Sequence, residues 1–336
     1  MLLRCDGFVD LQVNGAIGVD INNPGHLTVE SLEDLCRYQA ENGVVRFLPT
    51  IISNPDEVIR EILVRIAEVK KQSELVRIMI PGVHLEAYVA EKAKGCHNPK
   101  YLRNPDWAFI ERLEELADLI YLITVAPELP GTFDFIGQAK KVGKRVAIGH
   151  TLANPGQISA AYNAGAILCT HLGNGVPTTL PRHGQGNPIW RQLAIPNFYA
   201  SFIPDFHHID PETLRDFITL KGVNRSIVVT DSIFATGLGD GEYDLNGQNI
   251  AVRGGRVYLK SNPEVLAGSV ATTLQCFANL LLIGFEPHQV LFMMSSAPAK
   301  IMNWPLDGCN IELELGEKDG LPRVKKLCIS KEMQIV

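Results

Sequence analysis

The sequence predicts an α/β protein built as a (β/α)8 TIM-type barrel with a small, reduced β-region attached. Three observations carry that expectation. Eight short apolar, β-rich runs recur along the 336 residues. Segments with helical periodicity lie between most of those runs. Several of those segments open on an Asn-Pro or Asp-Pro pair, a signal for a helix start.

In chain order the runs are GFVDLQV, VVRFLPTII, RIMIPGVHLE, LIYLITVAPE, RVAIGH, AILCTH, NFYASFI and SIVVTD. Asn54-Pro55, Asn104-Pro105, Asn154-Pro155 and Asp210-Pro211 each place a capping side chain before a proline suited to the first helical turn. Apolar strands separated by helices argue for a parallel sheet, and eight is the number that closes a barrel. A doubly wound open sheet is the structural alternative, but no GxGxxG follows an early strand. The barrel is assigned residues 1–240 and 263–304. Residues 241–262 carry Asn-Gly and Gly-Gly between alternating runs, which is a hairpin pattern. Residues 305–336 alternate in the same way, and the two stretches are expected to pair into one small β-sheet.

Composition narrows the function classes. Hydrophobic residues at 46% beside 20% charged residues fit a soluble globular protein with ample core. A net charge of −6 argues against nucleic acid or an acidic membrane as the partner. The seven cysteines are scattered, odd in number and contain no CxxC, a pattern of reduced thiols in a cytoplasmic protein. No basic, then apolar, leader opens the chain, and no apolar run is long enough to span a bilayer.

Chemistry follows from position. Active residues of such barrels sit at the C-terminal ends of strands. Glu86 ends run three, His150 run five, His171 run six and Asp231 run eight. Two imidazoles and a carboxylate are the ligand set of a catalytic zinc site that keeps a position open for water. Asp231 is then left to handle protons. Singly, a strand-end histidine reads as a polar core residue and an aspartate as a helix cap. Four of them at four strand mouths point to a site. In the first run, Gln12 and Asn14 lie two apart and so on one face. They either cap a strand end or hydrogen-bond groups of the site. His84, two before Glu86, either packs in the barrel core or does the same.

GFVDLQVNG, FLPTIIS, GVHLEA, KGCHNP, VAPE, IGHT, CTHLGNGVP, VVTDS and LAGS, in that order, resemble the motifs of the N-acetylglucosamine-6-phosphate deacetylase family of amidohydrolases. The resemblance runs from about residue 7 to about residue 300. It implies a barrel of the metal-dependent hydrolase kind and removal of an acetyl group from an amino-sugar phosphate. It implies one divalent ion per subunit, Zn2+ before other divalent ions, held by Glu86, His150 and His171. Asp231 would be the catalytic acid/base, and His97 would polarise the substrate carbonyl. Gln12 and Asn14 stand where many amidohydrolases carry His-x-His for a second metal. Neutral amides are poor zinc ligands beside imidazole, yet they can orient the groups that do bind. By resemblance, Asn174 and Gly175 would cradle the phosphate, and Arg182 and His208 would reach in from the partner of a homodimer. Read alone, Arg182 is a solvated loop charge and His207-His208 the approach to a helix.

The chain departs from the family after Glu86, where Ala87-Tyr88-Val89 replaces Gly-Pro-aromatic, so Ala87 is expected against the sugar. Gly173-Asn174-Gly175-Val176-Pro177 replaces Tyr-Asn-Ala-Met-Pro. The first strand begins almost at residue 1, so the family's small β-domain is expected to be reduced. A related hydrolase acting on another N-acyl amino-sugar phosphate or amide is the alternative activity. A Schiff-base lyase needs a strand-end lysine, and no run ends on one. A non-catalytic sugar-phosphate binder gives no reason for the four strand-end groups.

Overall fold

The computed structural model describes residues 2–177, 179–182, 186–316 and 321–336. Eight strands pair in chain order, each parallel to the next: Phe8–Val13, Val44–Ile52, Val83–Tyr88, Ile120–Val125, Arg145–Ile148, Leu168–Cys169, Tyr199–Phe202 and Ser226–Val228. They are numbered here one to eight. Strand one is buried along its whole length, which is why it reads as a continuous apolar run. The ring closes between strands eight and one. There Asp231 N–H donates to Gln12 O at 3.0 Å, and Asn14 N–H donates to Ser232 O at 2.7 Å. The buried Asp10 tightens the seam by accepting the Thr230 hydroxyl at 2.6 Å.

Val9 and Leu11 of strand one, Leu48, Leu122, Ala147, Leu168 and Ile227 fill the barrel interior. The helix Ala297–Met302 packs Ile301 and Met302 against the same cluster. A packed interior leaves polar groups only at the strand ends, and the candidate site lies there.

The local expectations divide. Asn154 and Asp210 cap their helices, accepting N–H groups from Gln157 and Thr213 at 3.0 Å each. Asn54 does not cap, because its amide turns to Asn22 Oδ1 at 3.1 Å. Asn104 is displaced by Asp106, whose Oδ1 accepts Ala108 N–H at the start of Trp107–Arg112. Within RIMIPGVHLE the apolar start is helical. Ser73 caps the helix Glu74–Met79, and strand three begins only at Val83, after Pro81-Gly82.

The expected single small sheet is two sheets. Gly241–Leu245, Gln248–Arg253, Arg256–Leu259 and Asn262–Leu266 form an antiparallel meander. Its turns at Asn246-Gly247 and Gly254-Gly255 have positive φ at both residues, as two-residue hairpins require. The strands Asn310–Glu314 and Arg323–Cys328 do not pair with the meander among the described residues. Leu2–Cys5, outside the barrel after all, takes the edge of Asn310–Glu314, whose other neighbour is Arg323–Cys328. Ile311, Leu313 and Leu327 of this sheet join the core cluster that contains Phe8. Among the described residues no helix is long and apolar enough to cross a membrane.

Candidate active site

A cavity of about 650 Å³ opens over the C-terminal ends of the strands, lined by Asn14, Glu86, His97, His150, His171 and Asp231 among others. The volume lies within the usual range for small-molecule sites. His150 Nε2 and His171 Nε2 stand 3.6 and 3.2 Å from Glu86 Oε1. His150, His171 and Asp231 all have positive φ, at 48°, 28° and 51°. Non-glycine residues rarely adopt that conformation, which here bends each strand end so that its side chain turns into the mouth.

A divalent ion fits this donor set. Potential ligand atoms of Glu86, His150 and His171 lie within 4.8 Å of one another. Burial drives the His150 pKa down to about 4 against the opposing pull of Glu86, and it also lowers that of His171. Both rings are therefore neutral and carry a free lone pair, the form a metal takes. His150 Nδ1 lies 2.8 Å from Ala93 O, a hydrogen bond that leaves Nε2 as the donor atom facing Glu86. His171 Nδ1 is buried without a hydrogen-bond partner among the described residues.

The two amides of strand one serve different acids. Gln12 Nε2 donates to both Glu86 oxygens at 3.2 Å, and Asn14 Nδ2 donates to Asp231 Oδ1 at 2.7 Å. Burial, and the Glu86 charge beside it, push the Asp231 carboxyl up to about 6 against the pull of His171. His97 stands beside these groups, its Nε2 3.8 Å from Glu86 Oε2 and its ring centroid 4.6 Å from that of His150. Its Nδ1 lies 2.9 Å from Ser53 Oγ and accepts Ser53 N–H at 3.4 Å. His84 lies below, bonded to Thr124 Oγ1 at 2.7 Å and through it to Thr170 Oγ1 at 2.7 Å. Of its two readings, the structure gives a polar group of the barrel interior.

Beside the two imidazoles, Asn174 N–H donates to His171 O at 2.9 Å, and Gly175 has φ 61°. A Cβ at Gly175 would come 2.6 Å from His150 Nδ1, so the turn approaches the ring only because this residue is glycine. His208 lines the cavity of its own chain, a correction to the expectation that it enters a partner's pocket. Asp205 fixes it there, accepting His208 Nδ1–H at 2.7 Å and the N–H groups of His207 and His208 at 2.9 Å each. Burial opposes the His208 charge, but the Asp205 carboxylate prevails and raises its pKa above the ordinary value. Arg182 is exposed and does not line the cavity, and its carbonyl accepts Trp190 Nε1–H at 3.2 Å. Ala87 is also outside the cavity. It is buried, and its carbonyl accepts the Ser53 hydroxyl at 3.2 Å.

Three supporting residues escaped the sequence reading: Ser53, Glu128 and Asp205. Glu128 accepts the Thr151 hydroxyl and, at 2.6 Å, Leu152 N–H, bracing the turn after His150. The signals were the acid ending VAPE and the aspartate three before His208. Each matters only through a backbone it meets in space.

No protein-family model matches the sequence. The solved structure of N-acetylglucosamine-6-phosphate deacetylase from Pasteurella multocida superposes with a TM-score of 0.86 at 26% identity, over 98% of this chain and 86% of that one. Barrel and donor set together define the class: a metal-dependent amide hydrolase of the amidohydrolase type. N-acetylgalactosamine-6-phosphate deacetylase of Escherichia coli O157:H7 is 29% identical over 94% of this chain and 82% of its own length. N-acetylglucosamine-6-phosphate deacetylase of Rattus norvegicus is 30% identical over 88% and 73%. The chain belongs to the N-acetylglucosamine-6-phosphate deacetylase family.

Proposed function

We propose that the protein hydrolyses N-acetylglucosamine 6-phosphate to glucosamine 6-phosphate and acetate. The carrying observation is the meeting of Glu86, His150 and His171 within 4.8 Å, with Asp231 lining the same cavity. Those three would hold one divalent ion, with zinc the best match to a carboxylate and two imidazoles. When bound, the ion supplies an acidified water and polarises the acetamide carbonyl. Asp231, aimed by Asn14, accepts the proton of the attacking water and returns it to the departing amine. Because Ser53 N–H can only donate to His97 Nδ1, the ring proton lies on Nε2, where it donates to the developing oxyanion. Gln12 holds Glu86 in place for the ion.

His208, whose charged form Asp205 favours, and the Asn174-Gly175 turn suit a phosphate dianion. Arg182 is exposed at the rim and does not line its own cavity, which suits the arrangement in which a homodimer supplies it to a neighbouring subunit. The Escherichia coli relative keeps a second substrate in play, the galactosamine epimer. Acetate release from both N-acetyl amino-sugar 6-phosphates, run beside elemental analysis, is the test. We expect release from the gluco sugar and about one tightly held divalent ion per chain. No release from either sugar, or two tightly held ions, overturns the reading.

A further inference from the structure

We infer that Asn246 and Gln248, at the tip of the first meander hairpin, are positioning residues for His97. The meander thereby sets how well that ring polarises the acyl carbonyl, an inference that rests on the role proposed above for His97.

The loop bearing His97 has little support of its own. It runs between two single 3-10 turns, Glu91–Ala93 and Pro99–Tyr101. Its start is tied to His150, through Ala90 N–H to His150 O at 3.0 Å and Ala93 O to His150 Nδ1 at 2.8 Å, and the stretch around His97 itself is held by the hairpin tip. Gln248 Nε2 donates to Cys96 O, directly before His97. Asn98 Nδ2, directly after it, donates to Asn246 O at 3.4 Å. Asn246 Nδ2 donates to Ser53 O at 3.3 Å, and Ser53 is the residue that engages the His97 Nδ1. Both chain neighbours of the ring and its bonding partner are thus tied to one turn.

That turn is itself stiff. Asn246 and Gly247 have φ of 52° and 78°, and Leu245 pairs with Gln248 beneath them. Leu245, Ile250, Val252, Val257 and Leu259 form a buried cluster with Ile233 and Ala235, which follow the Asp231 strand end. Cys96 packs against the same cluster. The meander therefore holds the His97 loop at a fixed offset from the chain that carries Asp231. The hydrogen-bond donor to the oxyanion and the acid/base keep their spacing because one apolar block supports both.

The test is the double variant Asn246→Gly/Gln248→Met. Glycine keeps the positive-φ turn and methionine keeps the length of the side chain, so the hairpin survives while the amides go. We expect unchanged metal content, KM for the N-acetyl substrate within about twofold, and kcat lower by about 10- to 100-fold. An N-trifluoroacetyl analogue has a more electrophilic carbonyl and needs less polarisation, so its kcat should fall much less. Adding His97→Ala should bring little further loss, since both changes remove one function. Amide hydrogen exchange at residues 95–98 should quicken in the double variant whether or not the substrate is the right one. Unchanged kcat, an equal fall for both acyl groups, loss of metal, or unchanged exchange at residues 95–98 would overturn the inference. Wild-type failure to release acetate would instead overturn the proposed function, with the exchange measurement still deciding this point.

Discussion

The meander over residues 241–266 and the sheet made by residues 2–5, 310–314 and 323–328 are composed of the same material, short antiparallel strands of alternating burial. They attach to opposite ends of the barrel. The meander bonds to Ser53, Cys96 and Asn98, which follow strand ends, and its Leu245 and Val265 line the cavity. The other sheet sits where strands begin. Ile311 Cδ1 would lie 2.7 Å from a Cβ on Gly43, and Arg46 donates to Ile329 O at 3.0 Å. One sheet shapes the mouth, and the other seals apolar surface at the foot. Alternation records that a strand has one wet and one dry face, and says nothing about which end of the barrel the dry face covers.

The comparison can be broken most forcefully at the mouth. Asp231→Asn should keep the fold and the metal but lower kcat by at least about 10²–10⁴-fold, because an amide cannot carry the proton. Near-wild-type turnover by a metal-loaded Asp231→Asn variant would mean that the base lies elsewhere. At the foot the outcome should invert. Ile311 is fully buried, so Ile311→Ala should cost about 2–5 kcal/mol of stability while the folded fraction keeps its kcat. Denaturant unfolding beside activity per folded molecule decides it, and an intact stability with depressed kcat would tie the foot to catalysis.

The rim should show the smallest effect. Arg182→Ala should weaken binding of the phosphorylated substrate by about 1.5–3 kcal/mol, with little change for the same sugar lacking phosphate. Mixing Arg182→Ala subunits with His150→Ala subunits should restore part of the activity, through a hybrid that joins one intact metal site to its neighbour's arginine. Activity that stays at the sum of the two parents, despite confirmed exchange of subunits, would place Arg182 within its own chain or outside the site.

The residues by themselves determined the barrel and its strand-end acids and imidazoles. Burial on both faces forces near-continuous apolar runs, and a barrel exposes function only where those runs stop, so Glu86, His150, His171 and Asp231 were legible as the last residues of runs. The amides of Gln12 and Asn14 were visible too, but not which acid each one serves. That depended on strand one lying between strands two and eight, so that one face reaches Glu86 and Asp231 together. His208 and Arg182 show the same limit. Only the fold, through the Asp205 clamp, decided that His208 faces its own cavity while Arg182 stays at the surface. The grip of the hairpin on the His97 loop was equally out of reach, since Gln248 and Cys96 are 152 residues apart and meet through a side-chain amide and a backbone carbonyl that any surface loop also carries. Local pattern fixes what a segment must bury; partners distant in sequence are fixed only when every segment has buried it at once.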